Sequence, residues 1–408
     1  MGTVVQIVFV DSTSADTVQK LERLGHNCTI LSSEQRLALE DHVTSADVVV
    51  VRSTSITRDV IAAAPQLGLI VRAGAGTDTI DLDYASEKGV YVCNVPGQNA
   101  VAVAELTLGL ILAIDRQIPA AVSDLNRGVW NKDTYSRARG LKGQALGILG
   151  MGKIGLEVTV RAASFGLSIH TLARSGRDQV TQQKLEQLDV HLHETLEELL
   201  KAVDIVSLHL PLTDETRGMV DAQFLSHLRH GAMLINTSRG GLVNENDLTQ
   251  AMADRDIRVG LDVYSSEPIS GSEDWNTSLS DHANFIGTHH IGASTDQARQ
   301  AIADGVFEAI GEYQVGVPTN CVNIAGRPLG ECAITVRHKD EVGVLAGVLS
   351  CLRLAGINVQ QMRNEIFEGA GPTAAIATIR LSQAPNPETI EILETLDNVL
   401  RVDVLGAS

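Results

Sequence analysis

In "THHIGAST", residues 288 to 295, two histidines stand side by side, His289 and His290, between a strand-like "NFIG" and a helix-like "STDQARQAIADGVFEAI". Histidine exchanges protons near neutral pH. Two further segments close strand-like runs and bring other types: "INTSRGGLVNENDL" with Arg239, and "LDVYSSEP" with Glu267. A guanidinium can grip a carboxylate through two parallel hydrogen bonds. A carboxylate beside an imidazole favours the protonated ring and fixes its tautomer. Read singly, Glu267 before Pro268 is a solvent-facing turn residue, Arg239 a sheet-edge charge and His290 a loop histidine. Read together, at the carboxyl ends of three strands, they stand where open α/β sheets place their ligands.

A fourth stretch, "ALGILGMGKIG", puts Gly150, Gly152 and Gly155 in G-x-G-x-x-G spacing between an apolar strand and the helix-like "KIGLEVTVRAASFG". The first glycine permits a tight turn, the second lets a pyrophosphate approach the backbone, and the third allows close helix-to-strand packing. The helix N-terminus offers free N–H groups to the phosphates. A nicotinamide dinucleotide is the implied cofactor. An NAD site usually carries an acidic residue about 20 positions further on, bonded to the ribose 2′-hydroxyl. Here "HTLARSGRD" has Ala173, Arg174, Ser175 and Arg177, with Asp178 behind them. Guanidinium groups in place of an anion suit a 2′-phosphate, so NAD or NADP is expected, with a lean towards NADP.

The elements that must position these residues follow from periodicity. Up to about residue 95, the short apolar runs "VVQIVFV", "ADVVVVRS", "LGLIVRAG" and "VYVCNVP" alternate with helix-like segments, as in a parallel sheet. A long helix at about 99 to 118, apolar nearly all round, is expected to serve as hinge and dimer contact. Six strands follow, "QALGILG", "SIHTLA", "DIVSLHLP", "AMLINTS", "VGLDVY" and "NFIGTHH", in the manner of a doubly wound sheet. The last 80 or so residues read β-α-β-β-α-β, the ferredoxin-like order. The expected fold class is α/β: two doubly wound, Rossmann-like parallel-sheet domains plus a C-terminal ferredoxin-like α+β domain. The expected bounds are 1–97 for a first domain, 98–288 for the dinucleotide domain and 329–408 for the tail.

Composition limits the partners. The chain has 32 Lys and Arg against 50 Asp and Glu, a net charge of −18, which repels nucleic acid and anionic lipid. Neither is expected as a partner, and an anionic ligand must meet a local basic cluster. The five cysteines, Cys28, Cys93, Cys321, Cys332 and Cys351, show no C-x-x-C spacing, so neither a metal site nor a disulfide framework is suggested. The start "VVQIVFVD" lacks a basic leader, and the apolar run at 100 to 114 is too short to span a bilayer. A cytoplasmic location is expected.

With "VRSTSIT", "RAGAGTDTIDLDYA", "NVPGQNAVAVAELTLGLILA" and "LHLPLTDETRGMV", these motifs resemble the D-isomer-specific 2-hydroxyacid dehydrogenases along the whole chain. The resemblance implies that about 289–325 complete 1–97 as a substrate domain, and it implies an Arg239, Glu267 and His290 trio. His290 would exchange the hydroxyl proton, Glu267 would support it, and Arg239 would hold the substrate carboxylate and polarise the carbonyl. The family pattern has proline before the histidine, so His289 stands in the proline's place. The resemblance further implies cofactor contacts at Lys153, Ile154, His209, Leu210, Pro211, Thr237, Ser238 and Gly292. Asp262 would contact the nicotinamide ribose or carboxamide, and Arg52, Ser53, Gly74 and Ala75 would contact the substrate.

The tail, 331 to 405, resembles an ACT domain, with His338, Asp340 and Asn358 at effector positions; Asp340 also fits a helix N-cap. It points to the branch that oxidises D-3-phosphoglycerate to 3-phosphohydroxypyruvate, with an amino-acid effector, serine among the candidates, and a homodimer or homotetramer. Two alternatives stand beside this: an NADPH-dependent reductase of glyoxylate, hydroxypyruvate or another 2-keto acid, and a dinucleotide-sensing corepressor-like binding protein.

Overall fold

The computed structural model describes residues 4–268, 275, 277–326, 329–368 and 373–405. The chain falls into two compact units, Met1–Asn323 and Ile324–Ser408.

The first unit holds two parallel sheets. One has five strands in the order Asn27–Ile30, Gln6–Phe9, Val48–Val51, Leu69–Arg72 and Tyr91–Asn94. Val48–Val51 is buried along its whole length, the continuous apolar run of a strand covered on both faces. Helix Asp296–Gln314, far along the chain, returns to this sheet and buries Ile302, Val306 and Ile310 among Val5, Ile7 and Phe9. The order reverses between Gln6–Phe9 and Val48–Val51, which opens a crevice beyond their carboxyl ends.

The second sheet has seven strands, in the order Phe285–Gly287, Arg258–Leu261, Met233–Asn236, Ile205–Leu208, Ala145–Leu149, Ser168–Leu172 and His191–His193. This is the doubly wound order, with its switch between Ala145–Leu149 and Ile205–Leu208. Six strands were expected here. The seventh, "HLH", is an edge strand of three residues, two of them exposed, and too short and polar to show a period. The same holds for Asn27–Ile30 on the other sheet, whose pattern is mostly exposed.

The long helix expected over 99 to 118 is two helices, Ala100–Asp115 and Ile118–Asn126. Gln117 takes a left-handed φ of 51° between them, and Pro119 opens the second. The apolar faces of the first are largely covered inside the chain, with Leu108, Ile111 and Ile114 against Val158, Ala162 and Ile235. The second leaves Ile118, Val122 and Leu125 exposed. Among the described residues no helix is long and apolar enough to cross a membrane.

The second unit has the β-α-β-β-α-β order, with its antiparallel sheet arranged Val359–Ile366, Ala374–Leu381, Cys332–Lys339 and Val399–Leu405. Ile334, Val336, Val348, Leu352, Ile379 and Leu393 form its core. Gly343, not Asp340, stands at the N-cap of helix Val344–Leu354, with a φ of 94° that glycine alone adopts without strain.

Candidate active site

The glycine fingerprint sits at the switch of the seven-stranded sheet. Gly150 has φ 104°, and a Cβ on it would lie 2.2 Å from the His209 carbonyl oxygen. A Cβ on Gly155 would lie 1.9 Å from the Gly150 carbonyl oxygen, so the helix can approach the strand only without one. Gly152 faces open space, leaving its backbone and the head of helix Lys153–Ser164 accessible to an anion. Beside it, the half-buried His209 bonds Ser207 Oγ through Nε2 at 2.8 Å, while its Nδ1 is buried without a partner among the described residues. Burial lowers the His209 pKa to about 3, so the ring is neutral. An open glycine cradle beside an unsatisfied imidazole nitrogen fits a dinucleotide. Leu210 packs close to Gly150 and Pro211 lines the neighbouring cavity. Ile154 is half-buried, and Lys153 reaches across the cleft to donate to the Pro96 carbonyl at 3.0 Å.

At the end of strand Ser168–Leu172, Asp178 is not free for a ribose. Its carboxylate caps helix Gln179–Gln187, accepting from the Thr181 N–H at 2.9 Å and the Thr181 hydroxyl at 2.6 Å. The Thr181 bonds hold it below the usual carboxylate range. Arg174 and Ser175 are exposed, and Arg177 folds back onto the Leu172 carbonyl.

His290 and Glu267 meet. The His290 Nδ1–H donates to Glu267 Oε2 at 2.7 Å, and the Tyr264 N–H donates to Oε1 at 2.9 Å. Burial raises the Glu267 carboxyl, but these bonds, the His290 charge and Arg239 outweigh it and hold the group below its ordinary value. With Nδ1 engaged, Nε2 of His290 is the nitrogen left to exchange a proton. His290 has a left-handed φ of 53°, uncommon outside glycine. The loop that holds it there is tied to Asp262: Oδ1 accepts from the Thr288 hydroxyl at 2.5 Å and the Ile291 N–H at 2.9 Å, and Oδ2 from the Gly292 N–H at 2.8 Å. Asp262 is thus the buried anchor of the His290 loop. His289 is exposed, with no partner among the described residues.

Arg239 follows a turn shaped by Asn236, which donates to the Arg239 carbonyl at 2.8 Å and accepts from the Ser238 N–H and hydroxyl. Thr237 is buried against Thr107 at 2.9 Å. The guanidinium pairs across the cleft with Asp78, Nη2 at 3.0 Å and Nε at 3.2 Å. Burial raises the Asp78 carboxyl, and Arg239, assisted by Arg72, more than reverses this. A Cβ on Gly76 would lie 1.7 Å from Arg239 Nη2, so that glycine admits the arginine. Around them lies a cavity of about 580 Å³ lined by Ala75, Gly76, Asp78, Pro211, Leu212 and Arg239.

The other wall is organised by residues the sequence reading passed over. Asp11, at the switch of the five-stranded sheet, accepts from the N–H groups of Arg52, Ser53 and Thr54 at 2.6, 2.8 and 3.2 Å, and from the Thr54 hydroxyl at 2.7 Å. It fixes the "RSTS" turn. Gly74 and Ala75 are held through their carbonyls, by the Val95 N–H at 2.9 Å and the Asn94 amide at 2.6 Å. Arg72 stands at the carboxyl end of its strand with its buried Nε unpartnered among the described residues. Burial, then Arg239, lowers its pKa to about 10, with Arg52 also contributing. Arg52 and Arg239 thus both lie near enough for their charges to disfavour that of Arg72. The signal was in view, since Arg72 opens "RAGAGTD", but a charged residue ending a strand looks like a surface residue until the opposite wall is in place.

In the second unit the three expected effector residues differ. His338 is 1% exposed, with Nδ1 against the Lys339 carbonyl at 2.8 Å and Nε2 against Asn364 Oδ1 at 3.1 Å. Both of its ring nitrogens are engaged inside the unit. Asp340 and Asn358 are exposed.

Residues 108–292 match the family model described as D-isomer specific 2-hydroxyacid dehydrogenase, NAD binding domain. D-3-phosphoglycerate dehydrogenase of Methanocaldococcus jannaschii is 38% identical over 330 residues, 79% of this chain and 60% of that protein; the chain thus spans about 60% of that relative's length. Hydroxypyruvate reductase of Thermotoga maritima is 37% identical over 270 residues, 66% of this chain and 85% of that protein. Among solved structures, NAD+-bound 3-phosphoglycerate dehydrogenase of Entamoeba histolytica aligns with a TM-score of 0.64 at 27% identity, over 79% of this chain and 99% of that one.

Proposed function

The chain belongs to the D-isomer-specific 2-hydroxyacid dehydrogenases, and on that premise we propose that it oxidises D-3-phosphoglycerate to 3-phosphohydroxypyruvate. The observation that carries this reading is that the half-buried Arg72 feels the charges of two further arginines, Arg239 at the cavity and Arg52 on the neighbouring strand end, in a chain with net charge −18. One guanidinium suffices for a plain hydroxy acid. A phosphate adds a charge of about −1.5 to −2, and half-buried arginines that repel one another are what such a ligand neutralises.

In this reading Nε2 of His290 takes the hydroxyl proton during oxidation and returns it during reduction. Glu267 keeps the ring in that tautomer and stabilises its protonated form. Arg239 exchanges part of its pairing with Asp78 for the substrate carboxylate and the developing oxyanion. The Gly150–Gly155 turn and the head of helix Lys153–Ser164 would hold the dinucleotide's phosphates. When bound, the nicotinamide accepts the hydride from the substrate carbon.

The capped Asp178 and the arginines at 174 and 177 support NADP use. The same observation favours a second reading, an NADPH-linked reductase of glyoxylate or hydroxypyruvate. The C-terminal unit, with its β-α-β-β-α-β order, supports an ACT-like amino-acid sensor with Asp340 and Asn358 at its ligand loop. The exposed Ile118, Val122 and Leu125 support a dimer through the dinucleotide domain. The test is initial rates of 3-phosphohydroxypyruvate, glyoxylate and hydroxypyruvate reduction with NADH and NADPH at matched concentrations. Preference for the phosphorylated acid is expected, and equal or faster turnover of the others replaces this reading with the reductase.

A further inference from the structure

Cys93 and Cys321 lie 228 positions apart in sequence, and no local spacing pairs them. The fold places them opposite each other in an antiparallel bridge between strand Tyr91–Asn94 and the segment that precedes Ile324. The Val322 N–H donates to the Val92 carbonyl at 2.8 Å and the Asn94 N–H to the Asn320 carbonyl at 3.2 Å. Those bonds flank the cysteines, which are therefore a non-hydrogen-bonded pair. Such pairs bring Cα atoms to about 4.5 Å with side chains closest together, inside the range of about 4.4–6.8 Å that a disulfide spans. The two sulfurs are in contact at 2.6 Å. Asn323 adds a bond to the same strand, accepting from the Val92 N–H at 2.9 Å, and one just before it, donating to the Val90 carbonyl at 2.8 Å. Cys28, Cys332 and Cys351 have no second sulfur within reach among the described residues.

We infer that Cys93 and Cys321 are a dithiol site that closes to an intramolecular disulfide and tethers residues 320–323 to the edge of the five-stranded sheet. Cys93 is fully buried and Cys321 half-buried. Burial, and then the neighbouring sulfur, pushes the Cys93 thiol well up, so reaction starts at Cys321. With a small disulfide such as oxidised glutathione, the Cys321 thiolate attacks one sulfur, forming a mixed disulfide and releasing one glutathione thiol. Cys93 then displaces the second glutathione, so two protein thiols are oxidised and one glutathione disulfide is reduced to two thiols. The bond forms one residue from Asn94, whose amide holds the Ala75 carbonyl beside the cleft. It therefore also stiffens that loop.

The experiment uses the full chain, reduced or equilibrated with oxidised glutathione, then alkylated, digested and mapped by mass spectrometry, with the Tm measured on both forms. The expected result is a Cys93–Cys321 linked peptide two hydrogens lighter than the reduced pair, with the other three cysteines alkylated. A loop this long should raise the Tm by roughly 5 °C or more. Dithiothreitol should reverse the rise, and Cys321→Ser should not show it. Alkylation of all five cysteines after the oxidant, a lasting glutathione adduct on Cys321, a bond through another cysteine, or an unchanged Tm in the linked form would each overturn the inference. The peptide map needs no enzyme activity, so it stands or falls apart from the proposed reaction.

Discussion

Arg72→Met separates the phosphate reading from its rivals. Methionine keeps the apolar stem and removes the charge. The fall of the Arg72 pKa from the ordinary guanidinium range to about 10, caused first by burial and then by Arg239, corresponds to roughly 3 kcal/mol spent holding a charge in the cleft. That is an upper bound, because the side chain is not sealed from water. The group stays charged at pH 7, since 10 lies well above 7, and its cost to the folded state persists across the neutral range. Removing it should leave the Tm unchanged or higher. In the complex, a charge-assisted bond to phosphate contributes about 1.5–3 kcal/mol, so kcat/KM for 3-phosphohydroxypyruvate should fall about 10- to 150-fold. Glyoxylate carries no phosphate and should change by less than about 3-fold. The assay is steady-state rates with both acids, alongside thermal unfolding with and without coenzyme. Equal losses for both acids, or a clear fall in Tm with selectivity kept, refutes the reasoning.

Four further variants test other parts of the site. Glu267→Gln keeps the shape but trades a charge-assisted bond for a neutral one, about 1–2 kcal/mol at this half-exposed pair; kcat should drop about 5- to 30-fold while coenzyme affinity, read by fluorescence titration, stays put. Because the folded Glu267 pKa lies below its ordinary 4.5, the carboxylate stabilises the protein above that value and the gain is lost as pH falls through the folded pKa. The Gln variant should therefore show a shallower loss of Tm on acidification, and parallel curves would count against the pairing. Replacing Arg174 and Arg177 together by Ala should raise KM for NADPH about 10- to 100-fold and leave NADH within about 2-fold; an unchanged NADPH KM removes the 2′-phosphate assignment. Gly155→Ala forces a Cβ to 1.9 Å from a carbonyl and should destabilise the fold by about 2–4 kcal/mol, whereas Gly152→Ala enters open space and should spare the Tm while weakening coenzyme binding.

Legibility tracked the range of the interactions. Strands that are buried on both faces, such as Val48–Val51, stand out as apolar runs. The two edge strands, Asn27–Ile30 and His191–His193, do not, because pairing along one side holds them rather than a buried face. The helix expected to run unbroken from 99 to 118 stops at Asp115 because Gln117 turns left-handed, a choice that apolar composition does not encode. His290, Glu267 and Arg239 were visible as strand-end residues. Their partners were not. Asp262, expected at the cofactor, also anchors the 288–292 loop, Asp178 caps a helix, and His338 is bonded on both nitrogens.

What the sequence by itself determined is what recurs locally: the α/β alternation, the glycine turn ahead of its helix, and the chemical types available at strand ends. These depend on residues within a few positions of one another, where backbone sterics and hydrophobic period act directly. The tertiary structure alone decided which distant groups meet. Asp78 lies against Arg239, the Arg52–Thr54 turn closes on Asp11, and Cys93 faces Cys321. Each contact joins positions 41 to 228 residues apart, brought together by sheet order and cleft geometry rather than by any spacing along the chain.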